Sequence, residues 1–397
     1  MESIIKPNYS IFFGNTGYVK LLELINKNNY DKILILSDSN TLKYCLPNLK
    51  DQLFSADSKS NSDIENKIFS YTVNSGEQTK NLNELKKICE FLISKGFKRN
   101  SLIINLGGGM VSDLGGFVSS IYMRGIDFVN IPTSLLGMVD ASIGGKTGID
   151  LNDLKNIIGS FEFAKIIIID LNFLSTLPIR QINSGFAEMI KHSLIDSKKH
   201  WNKISSVNFS KDVDSSLIYN SIMTKIKIIE NDPKESSSRK FLNFGHTIGH
   251  AIESFLLNSD REILHGEAIL IGIILESYLS QKLLNFDTQL TLNIKNYILK
   301  FSKKIQLMKP LFPSVNVSGY TIIEFDVDQN GKIQKPRSVE SKCLLQKRGS
   351  DDKEFRNCGV FIYESIAASR YIKYTKPTNS NGSACSCLLY TSPSPRD

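Results

Sequence analysis

The chain has 397 residues, of which 41% are hydrophobic and 22% are charged, and its formal net charge is +8. This composition excludes disordered and collagen-like proteins, and the length allows two or three domains with a buried core. The sequence shows neither a secretion signal nor an apolar run long enough to span a bilayer, so we expect a cytoplasmic protein without a membrane partner. The positive charge is spread over lysine-rich helices, which favours small anionic substrates over nucleic acid.

Short β-rich runs alternate with helical patterns between Tyr30 and about Thr176. The runs cover residues 32–37, 101–105, 127–131 and 165–170. Such alternation predicts βαβ units and a largely parallel sheet covered on both faces. The first part of the chain is therefore predicted to be an α/β domain.

A glycine-rich segment, residues 106–110, follows the predicted strand at 101–105 and precedes a helical pattern over residues 111–120. Successive glycines let a ligand approach the backbone, and the helix N-terminus offers N–H groups to a pyrophosphate. Asp113 is placed to contact a nucleotide or to cap the helix. A tight turn explains a glycine triplet equally well. Glu77 and Lys80, on a predicted loop, could contact the same ligand.

Charged and amide side chains interrupt an otherwise small and apolar stretch over residues 122–160. They are Arg124, Asp140, Lys146, Lys155 and Asn156. Lysine and arginine among glycines suit a polyanionic substrate with phosphate and carboxylate groups. The sequence therefore predicts a substrate pocket built from this stretch.

The strand patterns end near Gln181, and amphipathic helices are predicted as far as about Lys303, including residues 215–230 and 265–284. Glu188 and Lys191 share one face of such a helix. Glu188 is a candidate metal ligand in a cleft beside Lys191. The alternative is an ordinary helix ion pair.

Three of the five histidines lie within twenty residues of one another. His246 and His250 are four residues apart and would project from one helix face, while His265 opens the next apolar helix. Neutral imidazoles with one carboxylate from elsewhere make a three-ligand metal site that leaves a position open for substrate. The alternative is a pair of hydrogen-bonded core histidines and one capping histidine.

The pattern changes again beyond about Lys309. Residues 319–328 alternate like an antiparallel strand, and residues 329–332 are a strong hairpin-turn signal. Four of the six cysteines lie in the last sixty residues, which sets this segment apart from the rest of the chain.

Taken in order and spacing, the motifs resemble the 3-dehydroquinate synthase family over about residues 7–300. They lie at residues 107–117, 122–125, 131–134, 144–147, 154–159, 187–191, 243–250 and 265–267. The resemblance implies a Rossmann-like N-terminal domain over residues 1–178 and an all-α domain over residues 179–308, with the active site between them. It also implies conversion of 3-deoxy-D-arabino-heptulosonate 7-phosphate to 3-dehydroquinate and phosphate in the shikimate pathway, with NAD and zinc or cobalt. A homodimer is expected.

Carried over by position, the resemblance assigns a role to each motif residue. It implies a metal site of Glu188, His246 and His265. The implied catalytic residues are His250, Lys146, Asp140, Lys191, Arg239 and Asn243, and the implied substrate-binding residues are Arg124, Lys155, Asn156 and Lys225. The implied NAD-binding residues are Asp38, Glu77, Lys80, Gly108, Gly109, Asp113, Thr133 and Ser134.

Two residues depart from the family pattern. Ser134 stands where threonine is usual, and Leu154 stands where glycine commonly precedes the lysine–asparagine pair. Leu154 leaves open a related NAD- and metal-dependent sugar-phosphate cyclase. A polyol dehydrogenase of the same superfamily is disfavoured by the basic substrate region. An inactive chimera with a binding module at its C-terminus is a further alternative, against which the intact Glu188 and histidines argue.

The C-terminal region differs from the family. We find no Asp-Lys-Lys segment after residue 284, so low activity is expected. Residues 313–377 resemble the C-terminal domain of TonB-like energy transducers, which predicts an unrelated α+β segment over residues 309–377. Residues 387–397 resemble the in-frame translation of a transposase sequencing adapter, so residues 378–397 are predicted to be disordered or artefactual.

Overall fold

The computed structural model describes residues 1–54, 60–151, 154–207, 213–233, 235–256, 263–302, 319–327, 333–346, 353–357 and 386–391. Residues 1–306 form one compact unit and residues 307–397 form another. The sheet and helical halves predicted as separate domains therefore lie within one unit. Among the described helices, none combines the length and hydropathy needed to cross a membrane.

A parallel sheet forms the first half of the larger unit. Its strands, together with a separate hairpin, are β1 (Ile4–Ile5), β2 (Ser10–Phe13), β3 (Lys32–Asp38), β4 (Ile68–Val73), β5 (Ser101–Gly107), β6 (Asp127–Pro132), β7 (Lys146–Leu151), β8 (Leu154–Phe161) and β9 (Ile166–Ile169). The sheet order is β1-β2-β9-β6-β5-β3-β4, and among the described pairs of this sheet only β1–β2 is antiparallel. The predicted parallel sheet is confirmed. Its strands are isoleucine- and leucine-rich because both faces are covered.

Helices cover this sheet. They are α1 (Asn15–Asn28), α2 (Ser39–Tyr44), α3 (Leu46–Phe54), α4 (Ser60–Glu65), α5 (Leu82–Ser94) and α6 (Gly109–Ile121). Helix α6 lies directly on the strands, since a Cβ at Gly115 would meet Oδ1 of Asn105 at 1.8 Å. On α1, the Tyr18 hydroxyl donates a 2.7 Å hydrogen bond to Asp170, which follows β9. This bond fixes α1 to the carboxyl end of β9.

The strand order defines where a ligand would bind. Strand β4 pairs on one side of β3, and β5 pairs on the other side. The connections thus diverge at the carboxyl ends of β3 and β5, and the crevice outside such a switch point is the usual ligand site of an open parallel sheet. The glycine-rich segment at residues 107–109 lies at this point.

The hairpin of β7 and β8 was not predicted. The two strands are antiparallel, and Gly148 and Gly159 face each other so closely that a Cβ at Gly159 would meet the Thr147 carbonyl oxygen at 2.3 Å. The hairpin contains Lys146, Lys155 and Asn156. Its charged residues and glycines obscure the alternation by which a strand is recognised in sequence.

Helices alone occur in the described part of residues 179–302, as predicted. They are α7 (Ile179–Asp196), α8 (Lys198–Ser205), α9 (Ser215–Asn231), α10 (His246–Leu256), α11 (His265–Leu284) and α12 (Thr288–Ser302). Helices α7 and α11 touch backbone to backbone, because a Cβ at Gly266 would lie 2.1 Å from the Ser184 carbonyl oxygen. The Gly266 amide also donates a 3.0 Å hydrogen bond to the Ser184 hydroxyl.

The smaller unit contains an antiparallel sheet. Its strands are β10 (Gly319–Val327), β11 (Ile333–Gln346), β12 (Lys353–Asn357) and β13 (Ser386–Thr391), in the order β12-β11-β10-β13. The predicted strand at 319–328 is confirmed as β10. The predicted turn at 329–332 lies outside the described residues, although β10 and β11 pair up to Val327 and Ile333. The α component expected here does not occur among the described residues of this unit.

Within residues 378–397, which are predicted to be disordered or artefactual, Ser386–Thr391 forms β13. This strand pairs antiparallel with β10. Its central residues, Leu388, Leu389 and Tyr390, have side chains that suit a strand, and the free edge of β10 offers backbone partners. A short β-prone segment next to an open edge therefore gains regular structure.

Candidate active site

Glu188 and three histidines meet in the helical half. Glu188 is fully buried. Its Oε1 atom lies 3.6 Å from Nε2 of His246 and 3.3 Å from Nε2 of His265. The ring centroids of His246, His250 and His265 are 5.0 to 5.6 Å apart. The structure therefore brings together the residues predicted to form the metal site.

Local structure explains this convergence. Helix α10 begins at His246, so that His250 follows on the same face. Helix α11 begins at His265, and the close contact of Gly266 with Ser184 sets α11 against α7. Glu188 lies one turn after Ser184, and this contact therefore brings His265 beside it.

In two of the imidazoles, Nδ1 already contacts an acceptor. Nδ1 of His246 lies 3.2 Å from the Phe244 carbonyl oxygen, and Nδ1 of His265 lies 3.2 Å from Oε2 of Glu253. The Nε2 atoms are left facing Glu188. Oε2 of Glu188 forms an ion pair with the buried ammonium of Lys191. Two imidazole nitrogens, each on a ring whose Nδ1 has a partner, together with one carboxylate fit a catalytic zinc or cobalt ion.

A second group of potential ligands contains Asp140, Glu188 and His192. Nζ of Lys225 lies 2.8 Å from Oδ1 of Asp140, and Nζ of Lys191 lies 4.0 Å from the same oxygen. Lys191 also pairs with Glu188, so these two ammonium groups balance the negative charge of both carboxylates, and the group has one imidazole. The set of Glu188, His246 and His265 is therefore the better candidate metal site.

Charges inside the cluster are set by close neighbours. Burial opposes ionisation of Asp140 and Glu188, but the adjacent lysines hold the pKa of both carboxyls below its usual range. Burial lowers the pKa of His246 to about 4. Burial also opposes a charge on His265, but Glu188 and Glu253 outweigh it and raise the pKa of His265 to about 9. The carboxylates are thus ionised at neutral pH.

A basic group lies beside the cluster. Arg239 is buried and donates hydrogen bonds to the carbonyl oxygens of Pro233, at 2.7 Å, and Gly144, at 2.9 Å. Lys146 forms an ion pair with Glu235, and Asn243 donates a 2.8 Å hydrogen bond to the same carboxylate. Lysine, arginine and amide groups so arranged suit a phosphate or carboxylate ligand.

Lys80 organises the end of the site nearest the sheet. Its buried ammonium contacts Glu77 at 2.6 Å, Asp113 at 3.2 Å and Oδ1 of Asn156 at 2.7 Å. Burial, only partly offset by Lys80, raises the pKa of Asp113 to about 6. Asn156, predicted to bind substrate, therefore lies with residues predicted to bind NAD.

The glycine-rich segment after β5 has room for a ligand only because side chains are absent. A Cβ at Gly108 would lie 3.1 Å from Oγ of Ser134, and a Cβ at Gly109 would lie 3.0 Å from Cβ of Ala141. The Thr133 amide donates to the Gly107 carbonyl oxygen at 3.0 Å, which holds the end of β6 beside this segment. A glycine cradle at a helix N-terminus fits the pyrophosphate of NAD.

Two predicted residues have other surroundings. Asp38 caps α2, since its carboxylate accepts hydrogen bonds from the amides of Asn40 and Thr41. It still lies at the carboxyl end of β3, beside the switch point. Arg124 is exposed after α6, and the structure shows no bond between it and the described residues of the cluster.

Sequence reasoning missed three residues of the site. Glu253 lies seven residues after His246 and His192 lies four after Glu188, so helical spacing could have indicated both. Nδ1 of His192 lies 2.6 Å from the Ser221 hydroxyl, and Nε2 lies 3.4 Å from Asp140. Glu235 lies between helices at a φ of 61°, and no pattern indicated it.

Comparison with solved structures agrees with the fold. A 2-deoxy-scyllo-inosose synthase, solved with carbaglucose-6-phosphate, NAD+ and Co2+, aligns over 90% of this chain and 96% of its own, with a TM-score of 0.64 and 20% identity. An iron-containing alcohol dehydrogenase from Thermococcus thioreducens aligns over 77% of this chain and 87% of its own, with a TM-score of 0.56 and 13% identity. The chain therefore has the α/β fold shared by sugar-phosphate cyclases and these dehydrogenases.

Sequence comparisons define the family. Residues 70–184 match the 3-dehydroquinate synthase N-terminal model and residues 185–318 match the C-terminal model. The 3-dehydroquinate synthase of Parabacteroides distasonis is 42% identical over 71% of this chain and 78% of the relative. That of Helicobacter pylori is 39% identical over 76% of this chain and 83% of the relative. The chain belongs to the 3-dehydroquinate synthase family.

Proposed function

We propose that the chain converts 3-deoxy-D-arabino-heptulosonate 7-phosphate to 3-dehydroquinate and phosphate, as a lyase that uses NAD and zinc or cobalt. The observation that supports this most is the buried Glu188 with the partly buried His246 and His265 beside a basic pocket, in a chain of this family. A polyanionic substrate matches the pocket. An uncharged polyol would not need Lys146 and Arg239.

The candidate ligands Glu188, His246 and His265 would hold the metal, and the cradle at Gly108 and Gly109 would hold NAD. When bound, NAD exchanges hydride with the substrate, and the metal polarises a substrate hydroxyl. The reaction regenerates the cofactor, so no net oxidation takes place.

The remaining steps fall to side chains of the chain itself. Lys146 and Arg239 bind and orient the acidic groups of the substrate. Asp140 is kept ionised by Lys225 at 2.8 Å, so its carboxylate orients that ammonium in the pocket. His250 lies at the exposed side of the cluster, where an imidazole can pass a proton to solvent.

The direct test is phosphate release from the heptulosonate phosphate with NAD and zinc. Phosphate release together with 3-dehydroquinate formation supports the proposal. Because Leu154 leaves a related cyclase open, glucose 6-phosphate serves as the competing substrate. Turnover of glucose 6-phosphate and not of the heptulosonate phosphate would favour the related cyclase.

Several features of the assembly stay predictions. The homodimer, the cytoplasmic location, and the absence of nucleic-acid and membrane partners rest on the sequence.

The TonB-like origin of residues 313–377 is supported by the antiparallel pairing of β10 and β11. Resequencing the gene from unamplified DNA tests the adapter origin of residues 387–397, and a continuous natural gene through this region would contradict it.

A further inference from the structure

Glu253 connects a candidate metal ligand to a candidate substrate lysine. Its carboxylate is buried, with 5% of the residue exposed. Oε2 lies 3.2 Å from Nδ1 of His265, and Oε1 accepts a 2.6 Å hydrogen bond from Nζ of Lys155. Each oxygen therefore serves one partner, and the partners come from helix α11 and strand β8.

The contact with His265 fixes the direction of its ring. Nε2 of the same imidazole lies 3.3 Å from Oε1 of Glu188, and Nδ1 faces Glu253. A ring held from behind by a carboxylate points its other nitrogen at one place, and such partners commonly govern metal affinity. His246 has only a backbone carbonyl in the equivalent position. Glu253 is thus the charged support of the candidate metal set.

The contact with Lys155 extends the connection toward the cofactor end of the site. Nζ of Lys155 also lies 4.0 Å from Oε1 of Glu77, which pairs with Lys80 at 2.6 Å. The Lys155 and Glu253 side chains are 15% and 7% exposed, so water screens this pair less than it screens a surface ion pair. A change in the charge or position of Lys155 therefore alters the electrostatic environment of the Glu253 carboxylate.

We propose that Glu253 is a positioning residue that couples the metal site to the substrate lysine. It orients His265 for the metal, and its bond to Lys155 makes metal affinity depend on what Lys155 binds. When a bound anion pairs with the Lys155 ammonium, the Glu253 carboxylate contacts His265 alone. The His265 imidazole then becomes a stronger metal ligand. By reciprocity, the metal strengthens anion binding by the same factor. This inference rests on the proposed function, because it takes Glu188, His246 and His265 as ligands.

The first test measures zinc affinity of the metal-free, full-length chain by competition with a chromophoric chelator. Glu253→Gln keeps the volume of the side chain and removes its charge, and it should weaken zinc binding by about 10- to 100-fold. The matched control is Glu267→Gln. Glu267 lies on α11 and is buried like Glu253, but it pairs with Arg180 and not with the His265 ring. The control should remain within about twofold of the wild type.

The second test approaches from the other end and does not require a change at Glu253. Lys155→Met should strengthen zinc binding by about fivefold in the wild-type background. The same substitution in the Glu253→Gln background should have no effect, because the connection is already broken. Equal effects in both backgrounds would overturn the coupling.

The outcomes separate this inference from the proposed function. Wild-type zinc binding with unchanged affinity in Glu253→Gln overturns the role of Glu253 and leaves the proposed function in place. Equal loss in Glu253→Gln and Glu267→Gln shows general damage to the packing of α10 and α11 and also overturns it. Failure of the wild type to bind zinc removes the metal site of the proposed function, and this inference with it.

Discussion

The three histidines of the cluster have different surroundings although their side chains are the same. His246 and His265 face Glu188 through Nε2, whereas His250 lies on the solvent side of the same cluster. Helical spacing alone would pair His246 with His250 as ligands. Ligand atoms of all three histidines lie within 4.8 Å of one another, but Glu188 lies beside Nε2 of His246 and His265, which favours these two as ligands.

This difference predicts opposite effects of two alanine substitutions. His246→Ala should abolish stoichiometric zinc binding because it removes a ligand nitrogen. His250→Ala should keep the metal and lose turnover by a factor of roughly 100 or more, since it removes a group for proton transfer. Zinc content by atomic absorption and phosphate release measure the two effects. Equal zinc loss in both variants would show that His250 is a ligand.

At the scale of secondary structure, the site depends on how closely helices approach. The contact of Gly266 with Ser184 leaves no space for a side chain, and it places the start of α11 one turn from Glu188. A methyl group there forces the helices apart, which costs about 1–3 kcal/mol in a packed core.

Gly266→Ala is therefore expected to lower both stability and zinc affinity. The shift of His265 away from Glu188 should weaken zinc binding by roughly tenfold or more. Leu275→Ala, on the exposed side of α11, is the control and should leave zinc affinity unchanged. Chelator competition and denaturant unfolding give the two quantities. An unaltered zinc affinity in Gly266→Ala would contradict the role of this contact.

Helix α8 provides a pH-dependent contribution away from the site. His200 is buried, with Nδ1 3.2 Å from Oδ2 of Asp196. Burial lowers the pKa of His200 below its ordinary value of 6.5, although Asp196 acts in the opposite direction. The unfolded chain therefore takes up this proton at a higher pH than the folded chain does. The resulting stability is present above pH 6.5 and is lost as the pH falls toward the folded pKa.

Replacement of His200 should reduce this dependence. Between about pH 7.5 and pH 5.5, the wild type should lose more free energy of unfolding than His200→Gln does. The remaining histidines are common to both proteins and cancel in the comparison. Lys199→Gln, beside it on α8, should keep the wild-type slope. Urea unfolding at both pH values gives the result, and parallel slopes for His200→Gln and the wild type would refute it.

Across the whole molecule, the sequence predicted the elements that have a regular hydrophobic pattern and the site residues whose type is rare in the chain. Runs such as Ile166–Ile169 indicate buried parallel strands, and sparse histidines on an apolar helix indicate a site. The β7–β8 hairpin escaped prediction because its glycines pack backbone on backbone, a contact that leaves no hydrophobic pattern. Helical spacing places Glu253 near His246, but its contact with Lys155, 98 positions away in the chain, is not visible in the sequence. Contacts of this range require the fold.

The outer surface of the helical half is unusually apolar. Leu279, Leu283 and Leu284 on α11 are 46%, 76% and 77% exposed, and Tyr278 is 42% exposed. Contiguous apolar surface of this kind favours association. The chain is therefore expected to self-associate as its concentration rises.

Charged residues at this surface should suppress the association. Leu283→Lys combined with Leu284→Lys should shift the sedimentation profile toward smaller species, without loss of helical circular dichroism. Ile93→Lys is the control, because Ile93 is an exposed residue of α5, at 65%, outside this surface. An identical profile for the double variant and the wild type would rule out this surface as the cause.

The bond between Tyr18 and Asp170 has a consequence for biosynthesis. The two residues are 152 positions apart, and the parallel pairing of β2 with β9 spans a similar stretch. At about 5–20 residues per second, the ribosome needs roughly 8–30 s to deliver the second partner after the first. During that interval Ile11, Phe12 and Phe13 of β2 can pair with β1 but not yet with β9, so the nascent chain presents one edge of an apolar strand to chaperones until β9 emerges.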